Sequence, residues 1–345
     1  MIVLRSPLIG AYREPGVTLA LVPFAIDQPG ALRLANEALR TRLAPGETLA
    51  DLWPPVDSAI RTGRATGGLL RSEGESRGVV LWEPAGPLGV AVRLLFLAPP
   101  AAGAAEYRSV LVLAERSAGP IAFVPGPLAG LSAAEESDLM GSLGFAPYGR
   151  LEMVLPPGVV PPPPAPDAPG QVRAVRPDDA PRLARLHELA YRDHLDRFLS
   201  IEDLDPVRDA QRQLQDFFGG RWGPPLLAGS AVVELEGRPV AAALAVRRAS
   251  HALIIDVMTD PEVQGKGFGR RALASAVRAL RAQGESAIVL NVTEANERAV
   301  RLYAGLGFER TLGPSQEWYN ARRMTVKIPP PPAQSVASAT DSGGR

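Results

Sequence analysis

Three glycines in the stretch VMTDPEVQGKGFGRRAL, Gly265, Gly267 and Gly269, stand between an apolar run with strand character and an amphipathic run with helix character. Glycines in that position admit positive φ and let the main chain approach a ligand closely, while the first N–H groups of the helix have no intrahelical partner and attract an anion. A phosphate or pyrophosphate is the matching guest. Further on, NERAVRLYAGLGF carries a side-chain amide, Asn296, and a phenol, Tyr303. Asp256 interrupts the apolar run ALIIDVMT just ahead of the glycines. An ionised carboxylate there is costly unless it faces a polar cleft, which makes Asp256 a candidate general base. Glu294, at the mouth of the next apolar run AIVLNV, is the second candidate. Each has a structural alternative: a ligand-free glycine turn, a Tyr303 that packs with Leu302 and Leu306, a buried Asp256 satisfied by backbone N–H groups.

Three phosphate loops compete for the glycines. A P-loop needs G-x-x-x-x-G-K-[ST], and no such run exists. Gly267, Gly269 and Ala272 satisfy a dinucleotide fingerprint with Glu294 beyond, but that fingerprint opens a β-α-β unit and here it would follow two helices and a hairpin. The third loop is [QR]-x-x-G-x-[GA], met by Gln264, Gly267 and Gly269. It is followed by N-x-x-A-x-x-L-Y-x-x-x-G-F, met at every fixed position by Asn296, Ala299, Leu302, Tyr303, Gly307 and Phe308. In these two motifs, taken in order, the chain resembles the GCN5-related N-acetyltransferases (the GNAT family).

That resemblance implies acetyl-CoA as cosubstrate, no metal, and a cleft where the long strand and its successor splay apart. It assigns the pyrophosphate to backbone amides of Val263, Gln264, Gly265, Lys266, Gly267, Phe268, Gly269 and Arg270, with Arg270 and Arg271 as exposed charge nearby. Val257, Met258 and Thr259 would pair with the pantetheine amides as an extra strand pairs with an edge, and Asn296 would bond the cofactor arm. Tyr303 would lie near the sulfur as general acid, while the family has no fixed position for the base, which leaves Asp256, Glu294 or a water chain without a dedicated base. The expected activity is transfer of an acetyl group to a primary amine. A non-catalytic acyl-CoA sensor would keep the glycine loop without needing Tyr303, and a nicotinamide-dependent oxidoreductase is the third reading.

The elements that must position these residues occur twice. LMGSLGFAPY at 139–148 echoes LYAGLGFERT at 302–311, with Met140 opposite Tyr303 and Ala133 opposite Asn296. In the second half QVRAVRP predicts a strand, DDAPRLARLHELAYRDHL a helix, SAVVELEGRPVAAALAVRR a hairpin and ALIIDVMT a long strand. GRRALASAVRALRAQG then predicts a helix, AIVLNV a strand, NERAVRLYAGLG a helix, and FERTL with ARRMTVKI the closing strands. The first half reads in the same order from VTLALVPF to FAPYGRLEMVL, and Met153 in LEMVL echoes Met324 in RRMTV. The expected fold is therefore α/β: two tandem acyltransferase folds, each a central mixed β-sheet flanked by helices. Residues 1–155 form a degenerate copy, 156–170 (PPGVVPPPPAPDAPG) an extended, stiff linker, 171–328 the catalytic copy and 329–345 a disordered tail. The first copy lacks the glycine loop, its equivalent PPAAGAAEYR keeping only Gly103.

Bulk composition narrows the partners. With 37 basic and 37 acidic residues the net charge is zero, which argues against a nucleic-acid binder held by phosphate contacts. No apolar run reaches membrane-spanning length and no signal-peptide pattern opens the chain, so a cytoplasmic protein is expected, a monomer or homodimer. The absence of cysteine excludes disulfides, thiolate metal sites and thiol nucleophiles. The acceptor is expected to be a small-molecule amine or a peptide N-terminus. The stretch 191–222 carries Asp193, Asp196, Glu202, Asp203, Asp205, Asp209 and Asp216 among Tyr191, Phe198, Phe217, Phe218 and Trp222, a pattern suited to a cationic amine or to a self-paired helical surface.

Overall fold

The apolar runs become strands and helices in the expected order. A computed structural model describes residues 10–14, 17–24, 30–40, 56–57, 59–72, 75–99, 102–163, 169–192, 194, 196, 205–311 and 315–322. In the first half these are β1 (Gly10–Glu14), β2 (Val17–Pro23), α1 (Ala31–Arg40), β3 (Thr66–Ser72), β4 (Glu75–Pro84), β5 (Val90–Leu97), α2 (Ala104–Ala118), β6 (Ile121–Pro125), α3 (Ala133–Ser142) and β7 (Phe145–Leu155). The second half holds β8 (Gln171–Ala174), α4 (Ala180–Tyr191), α5 (Pro206–Phe218), β9 (Ala231–Leu235), β10 (Arg238–Arg247), β11 (Ala252–Thr259) and α6 (Phe268–Ala282). It closes with β12 (Ile288–Thr293), α7 (Glu297–Ala304), β13 (Glu309–Arg310) and β14 (Ser315–Asn320). The fold is mixed α/β, and among the described residues no helix is long and apolar enough to cross a membrane.

The halves share one 14-stranded sheet, in the order β1-β2-β3-β4-β5-β6-β14-β7-β12-β11-β10-β9-β8, with β13 beside β7. Each half thus gives its last strand to the other. β7 pairs antiparallel with β12 from Leu155↔Ile288 to Arg150↔Thr293, and β14 pairs with β6 through Trp318↔Val124. The cores follow the same exchange. Leu151, Met153 and Leu155 of β7 are buried with Ile254, Leu273 and Tyr303, while Trp318 of β14 is buried with Tyr107, Val110 and Met140. Trp318 Nε1 donates to the buried carboxylate of Glu136 at 2.6 Å, so its one polar atom is satisfied inside the first half.

The repeated LGF has a backbone cause. Gly144 and Gly307 have φ of 87° and 94°, the left-handed conformation that turns each helix into the following strand, and Phe145 and Phe308 behind them are buried.

Three expectations change. Among the described residues the last strand is SQEWYN at 315–320; of ARRMTVKI, Ala321 and Arg322 lie in a turn, and the remainder, with Met324 and the tail 329–345, lies outside the described residues. Trp318 and Tyr319 decide this, because they are the side chains that fill the first half's interior. The linker, expected as an extended, stiff spacer, is in its described parts also bound to α6. Arg281 donates to the carbonyls of Leu155 (3.1 Å), Pro156 (2.6 Å) and Val159 (3.2 Å), Arg278 to Pro162 (3.1 Å) and Arg271 to Gly170 (3.0 Å). Prolines leave carbonyls without a secondary-structure partner, and three arginines along one helix supply the donors. Finally, β1 precedes the predicted first strand as its antiparallel partner.

Candidate active site

The parallel pairing of β11 with β12 runs only from Ala252↔Ile288 to Ile254↔Leu290, although both strands continue. The cause lies one strand away. Opposite Leu244 and Ala245 of β10 stand Asp256 and Ile254, leaving Ile255 as an extra residue. A bulge of this kind bends its strand and re-aims the next side chain. Here it turns β11 away from β12 and directs Asp256 toward α4, where Tyr191 Oη donates to Asp256 Oδ1 at 2.6 Å.

The gap so opened is a cleft of about 450 Å³. Its walls include Asp256, Val257, Met258 and Thr259 of β11, Gln264, Gly265, Gly267, Phe268, Gly269 and Arg270 of the loop and α6, and Asn296 and Tyr303. The three glycines serve two purposes. Gly265 and Gly267 have φ of 80° and 84° with open space where a Cβ would stand, whereas a Cβ on Gly269 would meet Thr259 Oγ1 at 2.5 Å. Gly267 caps α6 without a side-chain acceptor, so the first N–H groups of the helix keep no intrahelical partner. The amides of Val263, Gln264 and Lys266 are instead taken up by turn bonds to Asp260, Pro261 and Val263 carbonyls at 3.0, 3.3 and 3.3 Å. Neither Val263, which packs into the core, nor Lys266 lines the cleft. The loop's cleft-lining amides outside these turn bonds are those of Gly265 and of the α6 N-terminus from Gly267 to Arg270. Arg270 reaches the carbonyl of Gly305 at 2.9 Å, while Arg271, expected as exposed charge, is tied to the linker and stacked near Phe268.

Tyr303 is buried, and among the described residues none is hydrogen-bonded to its hydroxyl. Burial raises its pKa, the carboxylates of Asp256 and Asp196 raise it further, and the phenol is held protonated. Burial likewise raises the pKa of Asp256, against the lowering influence of His187, the Tyr191 hydroxyl and the Val257 N–H. His187 Nε2 lies 3.8 Å from Asp256 Oδ2, and its ring stacks on Tyr191 with centroids 4.5 Å apart.

Glu294 does not line the cleft. Its carboxylate is buried, 3.6 Å from Arg310, and its backbone N–H donates to Gly149. Of the acidic stretch 191–222, Asp193, Glu202 and Asp203, with Phe198, lie outside the described residues. Asp205 caps α5 and pairs with Arg208, Asp209 is buried, Asp216 pairs with Arg221, and Asp196 alone of the described acids in this stretch lines the cleft. Sequence reasoning missed His187 and His194. Their signal was available: two of the chain's three histidines stand seven residues apart, with Tyr191 between them, as on one face of a helix.

The first half repeats the bulge and not the chemistry. Opposite Leu81 and Trp82 of β4 stand Leu94 and Val92, so the counterpart of Asp256 is the buried Leu94. Met140 is buried at the counterpart of Tyr303. At the start of α2 a Cβ on Gly103 would meet Glu106 Oε2 at 2.5 Å, so a carboxylate already covers that helix N-terminus. Tyr107, wholly buried, donates to Ala129 O at 2.9 Å.

The sequence model of the acetyltransferase (GNAT) family matches residues 185–308. Mycothiol acetyltransferases are similar over short stretches: that of Thermobispora bispora is 46% identical over 54 residues, 16% of this chain and 18% of that protein. That of Frankia alni is 44% identical over 62 residues, 18% of this chain and 19% of that one. The match spans less than a fifth of these relatives' length. Among solved structures, a GCN5-related N-acetyltransferase from Sphaerobacter thermophilus superposes with a TM-score of 0.62 at 15% identity, over 87% of this chain and 95% of that one. A tandem GNAT protein from the clavulanic acid biosynthesis pathway gives 0.59 at 17% identity, over 87% and 97%. At these identities the superpositions establish the fold.

Proposed function

We propose that this chain, whose residues 185–308 are a domain of the acetyltransferase (GNAT) family, transfers an acetyl group from acetyl-CoA to a primary amine in the cleft between β11 and β12. The observation that carries the reading is the meeting of the α6 N-terminus, the Asp256 carboxylate and the Tyr303 phenol in one cleft. Gly267 to Arg270 would hold the pyrophosphate with otherwise orphaned amides and the guanidinium of Arg270. The unpaired ends of β11 and β12 offer backbone groups to the pantetheine amides. Asp256 takes the proton of the attacking amine as the C–N bond forms, and Tyr303 gives its proton to the sulfur as the C–S bond breaks, yielding an amide and free CoA thiol. Because burial disfavours the charged form of both groups, Asp256 has a driving force to accept a proton and Tyr303 remains a neutral donor.

The acceptor is a small molecule in this reading, supported by the mycothiol acetyltransferase relatives. In this reading the described residues of the first half offer no second cofactor site, since Leu94, Met140 and Glu106 stand at the positions of the base, the acid and the anion cradle. Its domain role is structural and, through the exchanged strand, contributory to the second half's site. A panel of primary amines with acetyl-CoA and a free-thiol readout tests the proposal. Thiol release with one amine supports it, acetyl-CoA binding without release would favour a sensor, and calorimetric binding of NADH but not acetyl-CoA would overturn it.

A further inference from the structure

Arg150 lies in the first half by sequence and meets the second half's site by contact. The register Arg150↔Thr293 sets β7 against β12, and Arg150 Nη1 donates to Thr293 Oγ1 at 2.9 Å, 4.0 Å from Asp196 Oδ1. The Thr293 hydroxyl donates in turn to Asp196. The second oxygen of Asp196 accepts from Asn296 Nδ2 at 3.1 Å and lies 3.5 Å from His194 Nδ1. Asp196, His194 and Asn296 line the cleft, whereas Arg150 and Thr293 stand behind that wall. The cleft's charges are also sorted. Arg270 and Arg298 accompany the glycine loop, Arg298 bonding Gln264, while Asp196 and Asp256 accompany Tyr191 and His194. An anionic cosubstrate suits the first group and a cationic acceptor the second.

We propose that Arg150 is a positioning residue through which the first half shapes the acceptor subsite: by fixing Thr293 and Asp196 it holds an oriented carboxylate on the cleft wall that binds the cationic group of an amine. The proposal rests on the acetyl-transfer reading. It gives the degenerate half a role in acceptor recognition without any cofactor of its own. A carboxylate loaded by Thr293 and Asn296 retains lone pairs for a guest, and its aim depends on the donors behind it.

The test uses the full chain, acetyl-CoA and a panel from ethanolamine and glucosamine to 1,4-diaminobutane, with thermal melts of each variant. For the best amine, Arg150→Met is expected to raise the acceptor KM about tenfold, with kcat and the acetyl-CoA KM within about twofold. Arg150→Lys, which keeps the charge, should recover most of the loss. Thr293→Val, nearly isosteric, should give the same split even if Arg150→Met melts early. An unchanged acceptor KM in Thr293→Val and Arg150→Met, or an equal rise for acetyl-CoA, rejects the role of Arg150 while wild-type turnover leaves the acetyl-transfer reading intact. Failure of the wild type to release thiol with any panel amine removes that reading and this proposal together.

Discussion

Tyr191 Oη and Asp256 Oδ1 lie 2.6 Å apart, joining the last turn of α4 to the bulged segment of β11. The bond orients the one carboxylate of the long strand toward the cleft and leaves its other oxygen facing His187 at 3.8 Å. A buried carboxyl held by a neutral donor, with an imidazole near its second oxygen, is poised to gain and lose a proton.

For Asp256→Asn, amine turnover is expected to fall by about 10² or more, since the amide cannot accept the proton but can still accept the Tyr191 hydrogen bond. Wild-type kcat/KM should decline on the acid side with an apparent pKa above the ordinary carboxylate value of about 3.9. A pH profile flat through that region with full activity in the variant would reject the assignment.

The same shift has a stability consequence of known sign. A carboxyl whose folded pKa is raised binds its proton more tightly when folded, so stability is lost as pH rises from the unfolded value to the folded one. Asp256→Asn never ionises and should melt higher than wild type at neutral pH, with the difference vanishing below about pH 3.9. Melting curves at both ends of the range check this, and a difference independent of pH would contradict it.

Tyr303→Phe keeps the ring that packs against Phe308, 6.2 Å between centroids, and removes the proton donor. Acetyl-CoA affinity should stay within a few-fold while kcat drops by roughly 10². Unchanged single-turnover rates would show that the hydroxyl is not the acid.

Acetyl-CoA should bind once per chain by calorimetry. Gly267→Glu is expected to abolish binding, because it forces a side chain into the left-handed φ of 84° and sets a carboxylate at the helix N-terminus. Two equivalents bound to the wild type would show that Glu106 and Met140 do not close the first half.

Trp318→Ala should destabilise the protein by about 3–5 kcal/mol, by emptying core volume and leaving Glu136 without its indole donor. Because Trp318 belongs to the second half's sequence and the first half's core, hydrogen exchange should rise mainly at Tyr107, Val110 and Met140. Protection lost instead only around α6 and β11 would contradict the exchange.

The features readable from the residues alone are those that depend on near neighbours along the chain. The spacing of Gln264, Gly267 and Gly269 was legible because a helix N-terminus and its left-handed cap are local geometry, and Asn296 to Phe308 because one helical turn after another sets Tyr303 in place. The paired LGF marked two copies because each needs a glycine at positive φ before its strand. The tertiary structure alone decided where the strands go. That β7 leaves its own half for β12, bringing Arg150 to Thr293, is a choice of pairing partner 143 residues away, and a run of alternating apolar residues carries no record of which edge it will meet. The same holds for Tyr191 on Asp256 and for the linker on Arg278 and Arg281. Buried polar groups must find partners, but which partners depends on packing that brings distant segments within hydrogen-bonding reach.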